Sequence, residues 1–88
     1  MKEIKLSGRE RTVLRAIDFS TGSSGGEILD HTRLEPEDLV DVLNALLSAG
    51  YAEAVPYAET TALETFRGSM FEVNPSYALD LREAMARR

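Results

Sequence analysis

Few residues of this chain have the types and spacing that chemistry requires. His31 is the only histidine, and Glu27 precedes it by four residues, so on a helix the two side chains would share one side. Such a pair can supply two ligands to a metal ion, but a stable zinc site needs about four donors. No third donor stands at a matching spacing. We therefore expect a solvent-facing or helix-terminal histidine, and neither a metal site nor a cofactor.

Two other segments invite a phosphate-binding or catalytic interpretation. Residues 22–26 are rich in glycine, but a phosphate loop needs a lysine and a hydroxyl residue directly after its last glycine, and here Glu27 follows Gly26. We interpret the segment as a flexible turn, with an anion site at the start of the next helix as the alternative. Asp38 and Asp41 are acids on one helix, yet no nucleophile–base pair accompanies them. The chain is therefore not expected to be an enzyme.

The strongest signal is a bias in charge. No lysine or arginine occurs between positions 34 and 66, whereas basic residues gather toward both ends of the chain. The acids within this stretch are Glu35, Glu37, Asp38, Asp41, Glu53, Glu59 and Glu64. The basic residues near the ends include Lys2, Lys5, Arg9, Arg11, Arg15, Arg82, Arg87 and Arg88. We interpret this segregation as a bipolar surface with one acidic face.

Composition bounds the classes of protein that remain. The 88 residues are enough for one domain with a modest core, and 43% hydrophobic with 28% charged residues is an ordinary globular mixture. The net charge of −5 repels nucleic acid at long range. The absence of cysteine excludes disulfides, a thiolate nucleophile and cysteine-ligated zinc. With no signal-like or membrane-spanning apolar run, we expect a cytoplasmic protein without a membrane partner.

Local patterns predict an α+β domain of four helices and one β-hairpin. Capping boxes at Ser7 and Ser24 open the first two helices, and Pro36 and Gly50 bracket the third, whose leucines recur at helical spacing. The predicted helices span about residues 7–19, 24–32, 36–49 and 75–87. The predicted hairpin spans about residues 51–73, with strands at 51–57 and 66–73 and its tip at 58–65.

Two segments resemble a known class of domain. LNALLSAGY (residues 43–51) resembles the end of the recognition helix and the first wing strand of MarR-, PadR- and ArsR-like regulators, and LSGRERTVL (residues 6–14) resembles their first helix. The resemblance implies a winged helix-turn-helix over the whole chain, residues 1–88, with a three-helix core, a β-hairpin wing and a C-terminal helix. Recognition helices usually present polar or basic side chains to bases and phosphates. Here the matching positions hold acids, and only Asn44 looks like a base reader.

Two functions follow, and the charge bias favours the first. In the first, the chain is a non-catalytic protein-interaction module whose acidic third helix and wing dock on a basic protein surface. The predicted face consists of Glu37, Asp38, Asp41, Asn44, Ser48, Glu59 and Glu64. In the alternative, the chain is a DNA-binding transcriptional regulator that contacts DNA through its basic ends. The predicted contacts are then Arg9, Arg11, Arg15 and Arg33.

The last helix carries a second, smaller apolar spot. Leu79 and Ala86 lie on the side opposite the stripe that should face the core. A two-fold contact between copies of this helix would place Arg82 of one chain near Glu83 of the other. We therefore expect a homodimer through Leu79, Arg82, Glu83 and Ala86.

Overall fold

The computed structural model describes residues 4–86, which form four α-helices and a three-stranded antiparallel sheet. The α+β class predicted from the sequence is therefore confirmed. Three of the basic residues near the ends, Lys2, Arg87 and Arg88, lie outside the described residues, as does the predicted end of the last helix. Within the described part of the chain, every helix is too short or too polar to cross a membrane.

The first helix, α1, spans Gly8–Ala16 and is shorter than predicted. Its capping box forms as expected, since the Ser7 hydroxyl accepts the Glu10 N–H at 3.1 Å and the Glu10 carboxylate accepts the Ser7 N–H at 2.8 Å. The helix ends early because Ile17 is already extended. The carboxylate of Asp18 then accepts the N–H groups of Ser20 and Thr21 and closes a tight turn, which the prediction of a helix to residue 19 missed.

Helices α2 and α3 follow their sequence signals closely. α2 spans Gly25–Thr32 behind a second capping box, and its cap residue Arg33 is left-handed. α3 spans Pro36–Ala49, as predicted, and ends at Gly50, whose φ of 81° a side chain would strain. The helices agree with prediction because their start and stop signals are local.

The segment predicted to be a flexible turn is instead part of the sheet. Residues Ser23–Ser24 form strand β1, and Gly25 already belongs to α2. β1 pairs with the central strand β3 (Met70–Val73), whose other neighbour is β2 (Ala52–Val55), so the strand order is β1-β3-β2. Ser23 lies opposite Phe71. The Gly25 N–H donates to the Ser69 carbonyl at 2.9 Å, so this donor at the helix start is not free for an anion.

The predicted hairpin exists, but its strands are shorter than expected. β2 spans Ala52–Val55 and β3 spans Met70–Val73. Pro56 lacks an N–H for the ladder, which explains why β2 stops before it. Residues 56–69, called here the connecting segment, contain a 3₁₀ turn at Phe66–Gly68 where a strand was predicted. The Phe66 side chain is fully buried, so the chain is drawn into the core before it enters β3.

The C-terminal part begins with a 3₁₀ turn at Pro75–Tyr77, capped by Asn74, and continues as α4 over Ala78–Ala86. Leu81 and Ala84 are buried, whereas Leu79 is 70% exposed, so the inward and outward sides of α4 are as predicted. One core joins all elements. Its buried apolar residues are Ile4, Leu6, Val13, Leu14, Ile17, Ile28, Leu39, Val42, Leu43, Leu46, Ala52, Ala54, Phe66, Phe71, Val73, Leu81 and Ala84.

A pair of adjacent glycines tests the packing between α2 and the connecting segment. A Cβ at Gly25 would collide with the Phe66 carbonyl oxygen, whereas one at Gly26 would meet nothing closer than 3.5 Å. We expect Gly25→Ala to lower the free energy of unfolding by about 1–3 kcal/mol or more. The control Gly26→Ala should be neutral or stabilise by up to about 1 kcal/mol, because alanine is the better helix former. Urea denaturation measures both; equal effects would contradict this packing.

Candidate interaction surface

Five residues of the predicted face lie on α3 and are called here the stripe, namely Glu37, Asp38, Asp41, Asn44 and Ser48. Glu37, Asp41 and Ser48 are exposed, as the helical spacing predicted. Asp38 is half-buried, and its carboxylate lies 3.6 Å from the guanidinium of Arg9. This is the only ion pair among residues 4–86, so Glu37 and Asp41 have no basic partner in the described part of the chain.

Asn44 behaves differently from the rest of the stripe. Its Nδ2 donates to the Thr61 carbonyl at 3.1 Å, and its Oδ1 accepts the Thr61 N–H at 2.8 Å. One side-chain amide thus satisfies both backbone groups of a residue in the connecting segment, and Asn44 is half-buried as a result. The interpretation of Asn44 as a free base reader is therefore wrong. It works as a clamp, named here the Asn44–Thr61 clamp, that holds the connecting segment beside α3.

A groove lies between the second half of α3, strand β2 and the connecting segment. It has a volume of about 520 Å³. Half-buried Leu47 and buried Ala52 give it apolar walls, and Glu53, Tyr57 and Glu59 also line it. The clamp fixes one side of this groove, because the segment that contributes Tyr57 and Glu59 is the one it holds.

Exposed apolar side chains lie beside these acids, and the sequence-based site omitted them. Tyr57 is 77% exposed, Val55 43% and Leu63 41%. Val55 is the last residue of β2, and Tyr57 and Leu63 lie on the connecting segment. Glu59 and Glu64 of that segment are also exposed. Pro56, which ends β2, was the available signal that Tyr57 leaves the sheet. The surface therefore combines aromatic, aliphatic and acidic groups, and tyrosine is enriched where proteins bind each other.

The acids also face each other across the sheet. Glu53 of β2 lies directly opposite Glu72 of β3, and both side chains are exposed. Like charges at directly opposed positions destabilise a sheet. No lysine or arginine of residues 4–86 forms an ion pair with either glutamate, so the fold carries this repulsion uncompensated.

The arginines predicted as alternative DNA contacts differ in their surroundings. Arg9 pairs with Asp38, and the Arg15 Nη2 donates to the Met85 carbonyl of α4 at 3.0 Å. Arg11 is half-buried, and its Nε is shielded from solvent. Arg9 and Arg11 lie about 200° apart around α1. Arg33 is exposed, but on the turn after α2.

The His31 and Glu27 pair lines an open depression of about 670 Å³ between α1 and α2. The His31 Nδ1 lies 2.8 Å from the Glu27 carbonyl, and since a carbonyl only accepts, this nitrogen carries the proton. The histidine is exposed in the last turn of α2, as expected. Within residues 4–86, no group of three or more potential metal ligands comes together.

The carboxylates of Asp18 and Glu27, which line this depression, accept hydrogen bonds from backbone N–H groups. The N–H of Ser20, followed by that of Thr21, lowers the pKa of Asp18 by hydrogen bonding its charged form. In the same way the Ser24 N–H lowers the pKa of Glu27. Both acids serve turns and caps, so the depression has no free pair of groups for acid–base chemistry among them.

The predicted dimer residues remain on the outer side of α4. Leu79, Glu83 and Ala86 are exposed. Arg82 is also exposed, but its guanidinium lies 5.0 Å from the centre of the Phe19 ring, within reach of a cation–π contact inside the same chain. Of the predicted set, Leu79 is the one large apolar side chain directed to solvent.

The Asn44–Thr61 clamp can be tested against its neighbour on the stripe. Asn44→Ala removes two hydrogen bonds and leaves the half-buried Thr61 backbone groups without them, so it should cost about 1–2 kcal/mol of unfolding free energy. Ser48→Ala, one turn along α3, should stay within about 0.5 kcal/mol. Urea denaturation gives both values, and hydrogen exchange should show faster exchange at the Thr61 amide in Asn44→Ala alone. An unchanged Thr61 exchange rate would contradict the clamp.

Similarity to known proteins gives no indication of a role for this surface. Comparison of the chain with protein-family models, with curated proteins and with solved structures finds no match. The function has to be inferred from the shape, charge and exposure of the surface itself.

Proposed function

We propose that this chain is a winged helix-turn-helix domain that serves as a non-catalytic protein-interaction module. In this proposal α3 and the connecting segment, which takes the place of the wing, dock on a basic protein surface. The order of elements, α1, β1, α2, α3, β2, β3 and α4, and the strand order β1-β3-β2 support the fold assignment. The turn of residues 33–35 between α2 and α3 has the length usual in helix-turn-helix motifs.

The observation that carries the function is the uncompensated acidity of the exposed α3 side and connecting segment. Glu37, Asp41, Glu59 and Glu64 are exposed and have no ion-pair partner among residues 4–86. A surface that meets DNA must neutralise phosphates with lysine or arginine. A basic protein surface instead supplies the missing cations, and opposite potentials speed and orient such an encounter.

The runner-up function, DNA recognition through basic residues, has weaker support. Arg9 and Arg15 are engaged within the chain, and Arg33 lies on a different element. The clamp also places the connecting segment beside the half of α3 that follows Asn44. Base reading by Asn44 would therefore require a shift of this segment, and base reading by the exposed first half of α3 would require a change of charge.

A pair of titrations separates the two functions. Fluorescence anisotropy should show that labelled mixed-sequence duplex DNA binds with a dissociation constant above about 10⁻⁴ M at physiological salt. Such binding is no tighter than ordinary non-specific binding. A labelled peptide of alternating arginine and serine should bind more tightly than the duplex, and Glu37→Lys with Asp41→Lys should weaken that peptide binding. Micromolar, salt-sensitive DNA binding that disappears in Arg9→Gln with Arg33→Gln would overturn the proposal in favour of the alternative.

Assembly of the module is a second, independent proposal. Leu79 is 70% exposed on α4, and a two-fold contact between α4 helices would cover it. Sedimentation should show a dimer at tens of micromolar, and Leu79→Glu should shift it toward monomer without unfolding it. Leu63→Glu is the matched control, because Leu63 is also exposed but lies on the connecting segment. A wild-type monomer at high concentration would end this idea.

A further inference from the structure

We infer that the groove between α3, β2 and the connecting segment binds an extended basic segment of a partner protein, with one arginine stacked on Tyr57. This inference rests on the proposed interaction function and names the chemistry of the partner. The groove, of about 520 Å³, is lined by residues from α3, β2 and the connecting segment, together with Asn74 after β3. A groove bordered by a strand and an extended connection can accept a stretch of peptide with side chains on alternating sides.

The free charges at the groove are negative. Glu53 and Glu59 line it, both are exposed, and neither forms an ion pair or hydrogen bond among the described residues. The polar amides nearby are already occupied, since Asn44 holds Thr61 and the Asn74 Nδ2 donates to the Gly50 carbonyl at 2.9 Å. The unsatisfied chemistry of the groove is therefore that of carboxylates, which cations satisfy.

A mismatch within the fold adds to the preference for a cation. Glu53, which lines the groove, lies opposite Glu72 of the central strand, so two like charges are held side by side. A cation placed beside them relieves this repulsion. Two carboxylate positions, on β2 and on the connecting segment, require more than one positive group, which a basic peptide carries and a single small cation does not.

Tyr57 specifies arginine rather than lysine. Its ring is 77% exposed and, within residues 4–86, takes part in neither the aromatic pair nor the cation–π contacts of the fold. A guanidinium is planar, stacks on an aromatic face and hydrogen bonds a carboxylate through two N–H groups, whereas an ammonium is a hydrated point charge. An arginine over Tyr57 can therefore reach Glu59, two residues further along the chain.

The test compares peptides of equal charge. Labelled peptides of alternating arginine and serine, or of lysine and serine, are titrated with wild-type protein at physiological salt. The arginine peptide should bind about two- to fivefold more tightly, the contribution of an exposed cation–π contact. Tyr57→Ala should abolish this preference, and Tyr57→Phe should retain it because the aromatic ring remains.

Two variants that each remove one negative charge distinguish peptide binding in the groove from peptide binding on α3. Glu59→Gln should weaken the arginine peptide by about two- to fivefold, as expected for losing one surface ion pair. Glu37→Gln removes the same charge from the first turn of α3, outside the groove, and should change affinity by less than about twofold. Equal effects of both variants and equal affinity for both peptides would overturn the groove while leaving the acidic-face function intact. If neither peptide binds, both proposals fall.

Discussion

The placement of the connecting segment depends on one close approach of backbone to backbone. Gly25 opens α2 directly against the Phe66 carbonyl, at a distance that leaves no room for a side chain, and its N–H donates to Ser69. The Phe66 ring is fully buried at the same place. This contact joins three things at once, namely the start of α2, the end of the connecting segment and the entry into the central strand. The segment that carries Tyr57, Glu59 and Glu64 can therefore begin at β2 and return to the core without extending freely into solvent.

The second anchor of the segment explains why the acidic surface has a defined shape. The Asn44–Thr61 clamp joins the middle of α3 to the middle of the segment through two hydrogen bonds. Tyr57 and Glu59 lie four and two residues before Thr61, so they are held on a short tether rather than on a mobile tip. A backbone held in place before binding loses less conformational entropy when a partner arrives. Phe66 and Asn44 together thus turn a charged stretch of sequence into a surface with a groove.

The sequence predicted the parts of this arrangement that depend on neighbouring residues. The limits of α3 follow from Pro36, the leucine repeat and Gly50, and both capping boxes form as their patterns indicate. The end of α1 was misplaced because the turn made by Asp18 competes with the helix. Asn44 and Phe66 were misassigned for a different reason. Their partners, Thr61 and Gly25, lie far away in the sequence, and periodicity contains no information about which distant backbone groups a side chain will meet.

The cost of the acidic surface to the fold bears on what the surface is for. Neutral or basic residues at Glu53 or Glu72 would remove a like-charge pair, yet the domain holds both glutamates opposite each other on its exposed side. In a domain of 88 residues a few tenths of a kcal/mol is a real fraction of total stability. Three arginines make contacts within the chain. Arg9 pairs with Asp38, Arg15 donates to the Met85 carbonyl, and Arg82 lies over the Phe19 ring. Arg9 and Arg15 thus tie α1 to α3 and α4, while Glu37, Asp41 and Glu59 are exposed without an ion-pair partner among residues 4–86. A surface left unbalanced in this direction discriminates by sign, because it repels phosphates and attracts guanidinium and ammonium groups before any shape-specific contact is made.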